Sequence, residues 1–259
     1  MRSNAWYGWT PDIPDQRDLT YRQLRKRLGR VPARIDLREI GDGLFPLYDQ
    51  GPLGSCTGQA IAKAITFNFF KQQAPTPVDP SRLFIYYNER VMEGTVNEDS
   101  GAQIRDGIKS VVKLGVCSEE LWPYDITRFA ERPPQAAFDQ AACHQALAYN
   151  RIPCALREMQ DCLAQGYPFV FGFSVYESFE SDEVAHTGRM TLPTPTEHLI
   201  GGHAVLCVGY DTVQQVFIVQ NSWGDDWGDH GFFYMPFDYM LNSNLADDRW
   251  TITQVEDSA

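Results

Sequence analysis

The chain changes character at Gly166, and that change limits what it can fold into. Upstream, Ile61, Ile65 and Phe69 recur at i, i+4 and i+8, alanines stand at 60, 62 and 64, and no Gly or Pro interrupts positions 59–74. That spacing predicts a helix running from Ser55, ended by Pro75 and Pro77. Further helices are expected over Ser81–Met92 and over Gln103–Leu114, the latter closed by Gly115. Pro133–Pro134 reads as a boundary, and residues 138–165 as room for two short helices. Downstream, Phe169–Tyr176, His203–Tyr210, Gln215–Gln220 and Gly231–Met235 are short β-branched and aromatic runs bounded by turn residues, which reads as strands. Ser178–Gly202 is polar and carries Pro193 and Pro195, so it reads as a long loop. Helices first and strands second predict an α+β protein of two lobes. A cleft between two such lobes is a usual place for a substrate.

Charge narrows the partners. The 259 residues carry a net charge of −12, and a body this acidic repels nucleic-acid phosphates. No run of 18 apolar residues is present, so no membrane span is expected. Residues 1–30 stand apart. Seven basic residues against Asp12, Asp15 and Asp18 give them +4, which leaves −16 on residues 31–259. Asp18 to Gly29 could form a short basic helix. With Trp6, Tyr7 and Trp9 as apolar anchors, this N-terminal extension is expected to dock in cis on the acidic body, across or beside the cleft. The N-terminus shows no apolar signal region, which leaves the compartment open, a secreted or periplasmic one included.

The chemistry begins at Asp49-Gln50-Gly51-Pro52-Leu53-Gly54-Ser55-Cys56-Thr57. Cys56 opens a predicted helix after a glycine-bearing turn, where aligned backbone N–H groups favour an anion and should lower the thiol pKa. A thiolate is what a sulfur nucleophile requires. In Gly201-Gly202-His203-Ala204-Val205 the histidine opens an apolar strand behind two glycines that admit a close-lying backbone. In Gln220-Asn221-Ser222-Trp223-Gly224 an amide at a strand end can orient an imidazole, and the tryptophan can shield it from water. Cysteine, histidine and asparagine in this order form the thiol variant of the catalytic triad.

These motifs, with Val208-Gly209-Tyr210, Trp227-Gly228 and Trp122-Pro123-Tyr124, resemble the papain family of cysteine peptidases over about residues 32–245. His203 lies 147 residues after Cys56, within the roughly 130–150 typical of that family, and Asn221 lies slightly beyond it. The resemblance implies a two-lobed papain-like fold. A helical lobe over about 48–130 would carry the nucleophile, and a β-rich lobe over about 131–245 would carry His203 and Asn221. It implies that Cys56 attacks the scissile carbonyl, that His203 pairs with it as imidazolium, and that Asn221 orients the imidazole. Gln50 would donate to the oxyanion with the Cys56 N–H, and Trp223 would cover the His–Asn bond. Gly202, and Gly101 within Asp99-Ser100-Gly101-Ala102, would face the substrate backbone.

The sequence also departs from the family. Leu53 and Thr57 stand where many members carry a cysteine and an aromatic, so the usual disulfide through that cysteine cannot form. No long propeptide is present, as in short bacterial-type members. The expected function is a cysteine endopeptidase acting on peptides or proteins as a monomer, without cofactor or metal, and held as a zymogen if residues 1–30 restrain it. An exopeptidase remains open if Glu177–Gly202 blocks one end of the cleft, as do a peptide ligase and a catalytically silent binding protein. Cys117, Cys143, Cys154, Cys162 and Cys207 read as small buried hydrophobes. Cys143-His144 has no partner at metal-ligand spacing. His186 and His198 read as solvated, and so do the acid pairs Asp225–Asp226 and Asp247–Asp248.

Overall fold

The computed structural model describes residues 7–21, 29–41 and 45–257. Its first long helix, α1, covers Cys56–Gln72 and is buried on nearly every side, so it packs in the middle of the molecule. Gln73 closes it in the left-handed conformation, its N–H reaching Phe69 and Phe70 carbonyls. Helix α2 (Arg82–Glu93) starts where the Ser81 hydroxyl accepts the Phe84 N–H, and ends at a left-handed Gly94. Helix α3 (Ile104–Lys113) follows. All three lie within a residue or two of the expected spans.

The remaining elements form mainly a sheet. In chain order the main ones are strand β1 (Arg34–Asp36), helix α4 (Gln135–Ala141), strand β2 (Ala146–Arg151), helix α5 (Leu156–Ala164), strand β3 (Phe169–Tyr176), a short helix α6 (Asp182–Thr187), strands β4 (Leu199–Asp211), β5 (Val216–Gln220) and β6 (Phe232–Pro236), a one-turn helix α7 (Phe237–Met240) and strand β7 (Ala246–Val255). The sheet order is β2-β7-β3-β4-β5-β6, with β1 paired to β4. Its pairs are antiparallel throughout, which fits the expected α+β class.

Three expectations need correction. Residues 138–165 hold the two expected short helices, but with the unexpected strand β2 between them. Ala146–Arg151 alternates weakly and is half-exposed, so its strand character comes from pairing with β7. The sheet also continues through β7 to Val255, past the boundary expected near 245. The stretch 178–202 is not all loop, since it contains α6 and the start of β4. The basic run Arg22, Arg25, Lys26 and Arg27, where a short helix was expected, lies outside the described residues, as does Trp6.

Buried residues of α1 and of the sheet share one continuous core, so the helix bearing Cys56 rests directly on the sheet bearing His203. A smaller cluster around Leu83, Phe84, Trp122 and Ala137 fills the far side of α2.

Candidate active site

Cys56 is the first residue of α1. The turn before it is held by Asp99, whose carboxylate accepts the Gly54 N–H at 3.0 Å and the Tyr86 hydroxyl at 2.5 Å. Tyr86 in turn accepts the Gly101 N–H at 3.1 Å, so the nucleophile turn and the Gly101 loop are fixed together. His203 lies on β4 opposite Phe173 of β3. Asn221 directly follows β5.

The His203 Nε2 meets Asn221 Oδ1 at 2.8 Å. Asn221 is itself held by three further contacts, the first from its own N–H to the Gly231 carbonyl at 2.9 Å. Its Oδ1 accepts the Ser222 N–H at 2.8 Å, and its carbonyl accepts Lys63 Nζ, from the nucleophile's own helix, at 2.6 Å. With Nε2 engaged by Asn221, the Nδ1 of His203 is buried without a hydrogen bond. The Trp223 ring stacks on His203 at 5.1 Å between centroids and 26° between planes, covering the His–Asn contact. The Gln50 carboxamide is buried beside this loop. Its Oε1 accepts the Ser222 hydroxyl at 2.6 Å, and its Nε2 donates to the Leu53 carbonyl at 2.9 Å.

The space above Cys56 is filled by the chain's own N-terminal segment. The Trp9 N–H donates to the Gly202 carbonyl at 2.9 Å. On the other wall, Ala102 donates to the Gly8 carbonyl at 2.7 Å and accepts the Thr10 N–H at 3.1 Å. The Cys56 sulfur accepts the Ala204 N–H at 3.3 Å, and the nearby Gly8 backbone N–H also favours its ionised form. No side chain fits at Gly8, because a Cβ there would stand 1.7 Å from the Gly54 carbonyl oxygen. Tyr7 packs edge-on to His203 and Trp223 and hydrogen-bonds Glu180.

Further along, Asp12 accepts the Trp250 indole N–H at 3.0 Å and the Arg105 N–H at 3.1 Å. The Asp12 N–H in turn donates to Asp248 at 2.7 Å. Asp18 pairs with Arg105 at 2.5 Å and with Arg151 at 3.3 Å.

This cover sets the protonation state. Burial pushes the Cys56 thiol up to about 12, against the opposing pull of the Ala204 and Gly8 N–H groups. Burial also pushes the His203 imidazole down to about 4, and the contact with Asn221 only partly offsets it. Loss of water around the covered sulfur therefore opposes the thiolate that the helix N-terminus favours.

Other expectations meet mixed outcomes. Gly202 does offer its carbonyl to a backbone, but on the opposite wall both hydrogen bonds come from Ala102. Gly101 instead supplies room, since a Cβ there would stand 2.1 Å from the Gly8 carbonyl oxygen. Asp248 is not solvated surface. It is 1% exposed and sits beneath Trp9. Cys154 is exposed and Cys143 half-buried, while Cys117, Cys162 and Cys207 are buried. Sequence reading missed Ala102, Asp248 and Lys63. An isolated Lys in the apolar run of α1 was the one readable signal among them. Among the described residues no group of His, Cys, Asp and Glu is arranged to hold a metal, and no helix is long and apolar enough to cross a membrane.

Comparison with known proteins gives a consistent answer. Residues 31–250 match the family described as papain family cysteine protease. The crystal structure of xylellain, a cysteine protease from Xylella fastidiosa, is 42% identical and superposes with a TM-score of 0.89, covering 99% of this chain and 98% of xylellain. An uncharacterized peptidase C1-like protein, L477 of Acanthamoeba polyphaga mimivirus, is 42% identical over 273 residues, 97% of this chain and 88% of its own length. A procathepsin B from Trypanosoma congolense, at 18% identity and TM-score 0.73, shares the fold over 97% of this chain and 87% of its own. The chain belongs to the papain family of cysteine proteases and is a cysteine peptidase.

Proposed function

We propose that this peptidase is an endopeptidase held latent by its own residues 7–18, with Cys56 as nucleophile, His203 as proton carrier, Asn221 as the group that orients it, and Gln50 with the Cys56 N–H as oxyanion donors. The observation that carries this reading is the backbone of the segment crossing the cleft, with Gly8 and Thr10 hydrogen-bonded to Ala102 and Trp9 to Gly202. A substrate backbone needs those same partners, so segment and substrate exclude each other.

Once the segment leaves, water re-enters and the charged pair becomes accessible. The Cys56 proton passes to Nδ1 of His203, the nitrogen that Asn221 leaves without a partner. The thiolate attacks the scissile carbonyl carbon, and the oxyanion receives the Cys56 N–H and an amide hydrogen of Gln50. One such donor is worth about 2.7–4 kcal/mol in the transition state. The imidazolium then protonates the leaving amine, and a thioester remains on Cys56. Water, deprotonated by His203, hydrolyses it and restores the thiol. Trp223, stacked on the imidazole, keeps bulk water from the His203–Asn221 bond.

In our reading residues 177–202 do not cap the cleft, which permits internal cleavage. Ala185 and Gly188 accept hydrogen bonds from Gly228 and Tyr234, so α6 is tied down against β6. In this reading the cleft is left open at both ends.

The test is cleavage of a peptide library by the Trp9→Ala protein, with products sized by mass spectrometry. Internal cuts are expected. Adding Cys56→Ala or His203→Ala should each abolish turnover to a similar degree, since the two act as one unit, with melting unchanged. Residual activity within tenfold would overturn the assignment, and products shortened only at one end would replace endopeptidase by exopeptidase.

A further inference from the structure

All six cysteines are free, so no disulfide holds the turn ahead of Cys56. Leu53, where many family members carry a bridging cysteine, is buried in an apolar cluster with Tyr86 and Ala102. What reaches the turn is Asp99. Both of its carboxylate oxygens lie 3.0 Å from the Gly54 nitrogen, and Oδ1 also accepts the Tyr86 hydroxyl. The contact has no slack, since a Cβ on Gly54 would stand 3.0 Å from Oδ1. Two donors converge here on a group that only accepts, which a carboxylate provides and an amide does not.

The Gly54 N–H and the Leu53 carbonyl belong to one planar peptide unit. That carbonyl accepts the Gln50 Nε2 at 2.9 Å and the Ser55 N–H at 2.8 Å, immediately ahead of Cys56. Asp99 therefore grips one end of a unit whose other end carries the Gln50 amide and closes the turn into the Cys56 N–H. The loop that presents Asp99 is anchored in its turn on α2, where Tyr86 and Arg90 stand one turn apart and are both buried. The Arg90 guanidinium lies 4.1 Å from the centre of the Tyr86 ring, and its Nη1 donates to the Val96 and Glu98 carbonyls at 2.7 and 3.2 Å. The support behind Asp99 is thus a buried side-chain pair with its hydrogen bonds made.

We propose that Asp99 is a positioning residue for oxyanion stabilisation, which through the Leu53–Gly54 peptide sets the Gln50 amide and the Cys56 N–H where the oxyanion forms. The inference rests on the assignment of those two donors under the proposed function. Asp99 acts through the turn and meets no reacting atom, so its effect is confined to steps in which an oxyanion develops. A group displaced by 1 Å can cost about a hundredfold in rate, and losing one oxyanion donor outright costs about 10²–10³.

The test compares two reactions of Cys56 in the full chain carrying Trp9→Ala, which opens the cleft, with and without Asp99→Asn. Hydrolysis of a peptide passes through an oxyanion. Alkylation by iodoacetamide forms the S–C bond as iodide leaves and generates none, so it reads only access to the thiolate. Asp99→Asn presents an NH2 to one of its two donors and lets the turn shift. It is expected to lower kcat by about tenfold to a hundredfold while the alkylation rate stays within about threefold of the parent. Asp99→Glu keeps two acceptor oxygens but sets them one methylene further out. It should give the same split between kcat and alkylation, and it decides the matter if Asp99→Asn does not fold.

Equal losses of turnover and alkylation would make Asp99 a purely structural residue and overturn the inference. A kcat unchanged in both variants overturns it as well, and either result leaves the proposed function standing. No cleavage of any peptide by the Trp9→Ala parent, together with unreactive Cys56, overturns the function itself, and the inference with it.

Discussion

Replacing Trp9 by Ala should uncover Cys56, and the size of the effect can be worked from the contacts. Trp9 is 9% exposed and packs into the core shared by α1 and the sheet. Truncating a buried tryptophan costs about 3–5 kcal/mol. Here that loss falls on the docked state alone, because in the released segment the side chain is in water in either case. At about 1.4 kcal/mol per factor of ten, the fraction of molecules with an open cleft should rise about 10²–10⁴-fold, until the open form predominates. The bonds of Gly8 and Thr10 to Ala102 and the Asp12 contacts remain, and hold the segment with about 1 kcal/mol each. Asp248 keeps the Asp12 N–H and Arg151, so no buried charge is orphaned by the change.

The assay is the initial rate of carboxamidomethylation of Cys56 in the full chain, read by peptide mapping because Cys154 is also exposed. Only an open cleft gives the reagent access and lets the sulfur ionise. Trp9→Phe keeps the ring and loses the N–H donor, so its rate should fall between those of wild type and Trp9→Ala. Equal rates of Cys56 modification in wild type and Trp9→Ala, with unchanged melting, would refute the claim that the segment governs access to the nucleophile.

Two further outcomes concern pH. Burial first, and then the charge of Asp12, raise Asp248 to about 7 in the docked state, while Asp12 is also raised by burial against the pull of Arg105 and Arg151. A carboxylate raised on docking favours docking fully below its released value of about 4 and loses that contribution as pH rises to about 7. The rate of Cys56 modification in wild type, divided by that in Trp9→Ala, should therefore climb across this window, and Asp248→Asn should flatten the climb. The Cys56–His203 pair adds no slope of its own, because thiol with imidazole and thiolate with imidazolium hold the same number of protons. Glu89 is fully buried and raised to about 8 by that burial, although the Thr57 hydroxyl donates to it at 2.6 Å. Its contribution to folding is present below about 4.5 and lost as pH rises through about 8, so Glu89→Gln should show a smaller fall in melting temperature between pH 5 and pH 8 than wild type. An identical fall would mean that Glu89 is already ionised in the fold.

The helices around Cys56 and four of the strands were legible because their signals are local. The spacing of Ile61, Ile65 and Phe69 and the turn residues around Phe169–Tyr176 each sit within a few residues of what they determine. Strand β2 was not legible, because Ala146–Arg151 becomes a strand only by pairing with Thr251 and its neighbours about a hundred residues away. Ala102 escaped notice for a similar reason. What it contributes is backbone, and alanine carries no sign of that. Asp248 was read as half of an exposed acid pair, since nothing in the sequence marks the bulge that turns it inward.

The N-terminal segment shows a different limit, because net charge does not anticipate the contacts its described residues make. Net charge set a basic segment of +4 against an acidic body of −16. In the structure the described ion pairs run the other way: Asp18 of the segment meets Arg105 and Arg151 of the body. Asp12 likewise lies beside the Arg105 backbone and the Trp250 indole. Net charge acts over distances that salt screens beyond about 8–10 Å. Docking is decided at hydrogen-bond range, where the local sign matters and the total does not. Trp9, Gly8 and Asp12 bury apolar surface and satisfy backbone groups that salt does not reach. Added salt should therefore weaken the Asp18 pairs and leave the cover over Cys56 largely in place. A salt-driven rise in Cys56 modification approaching that of Trp9→Ala would restore net charge as the cause.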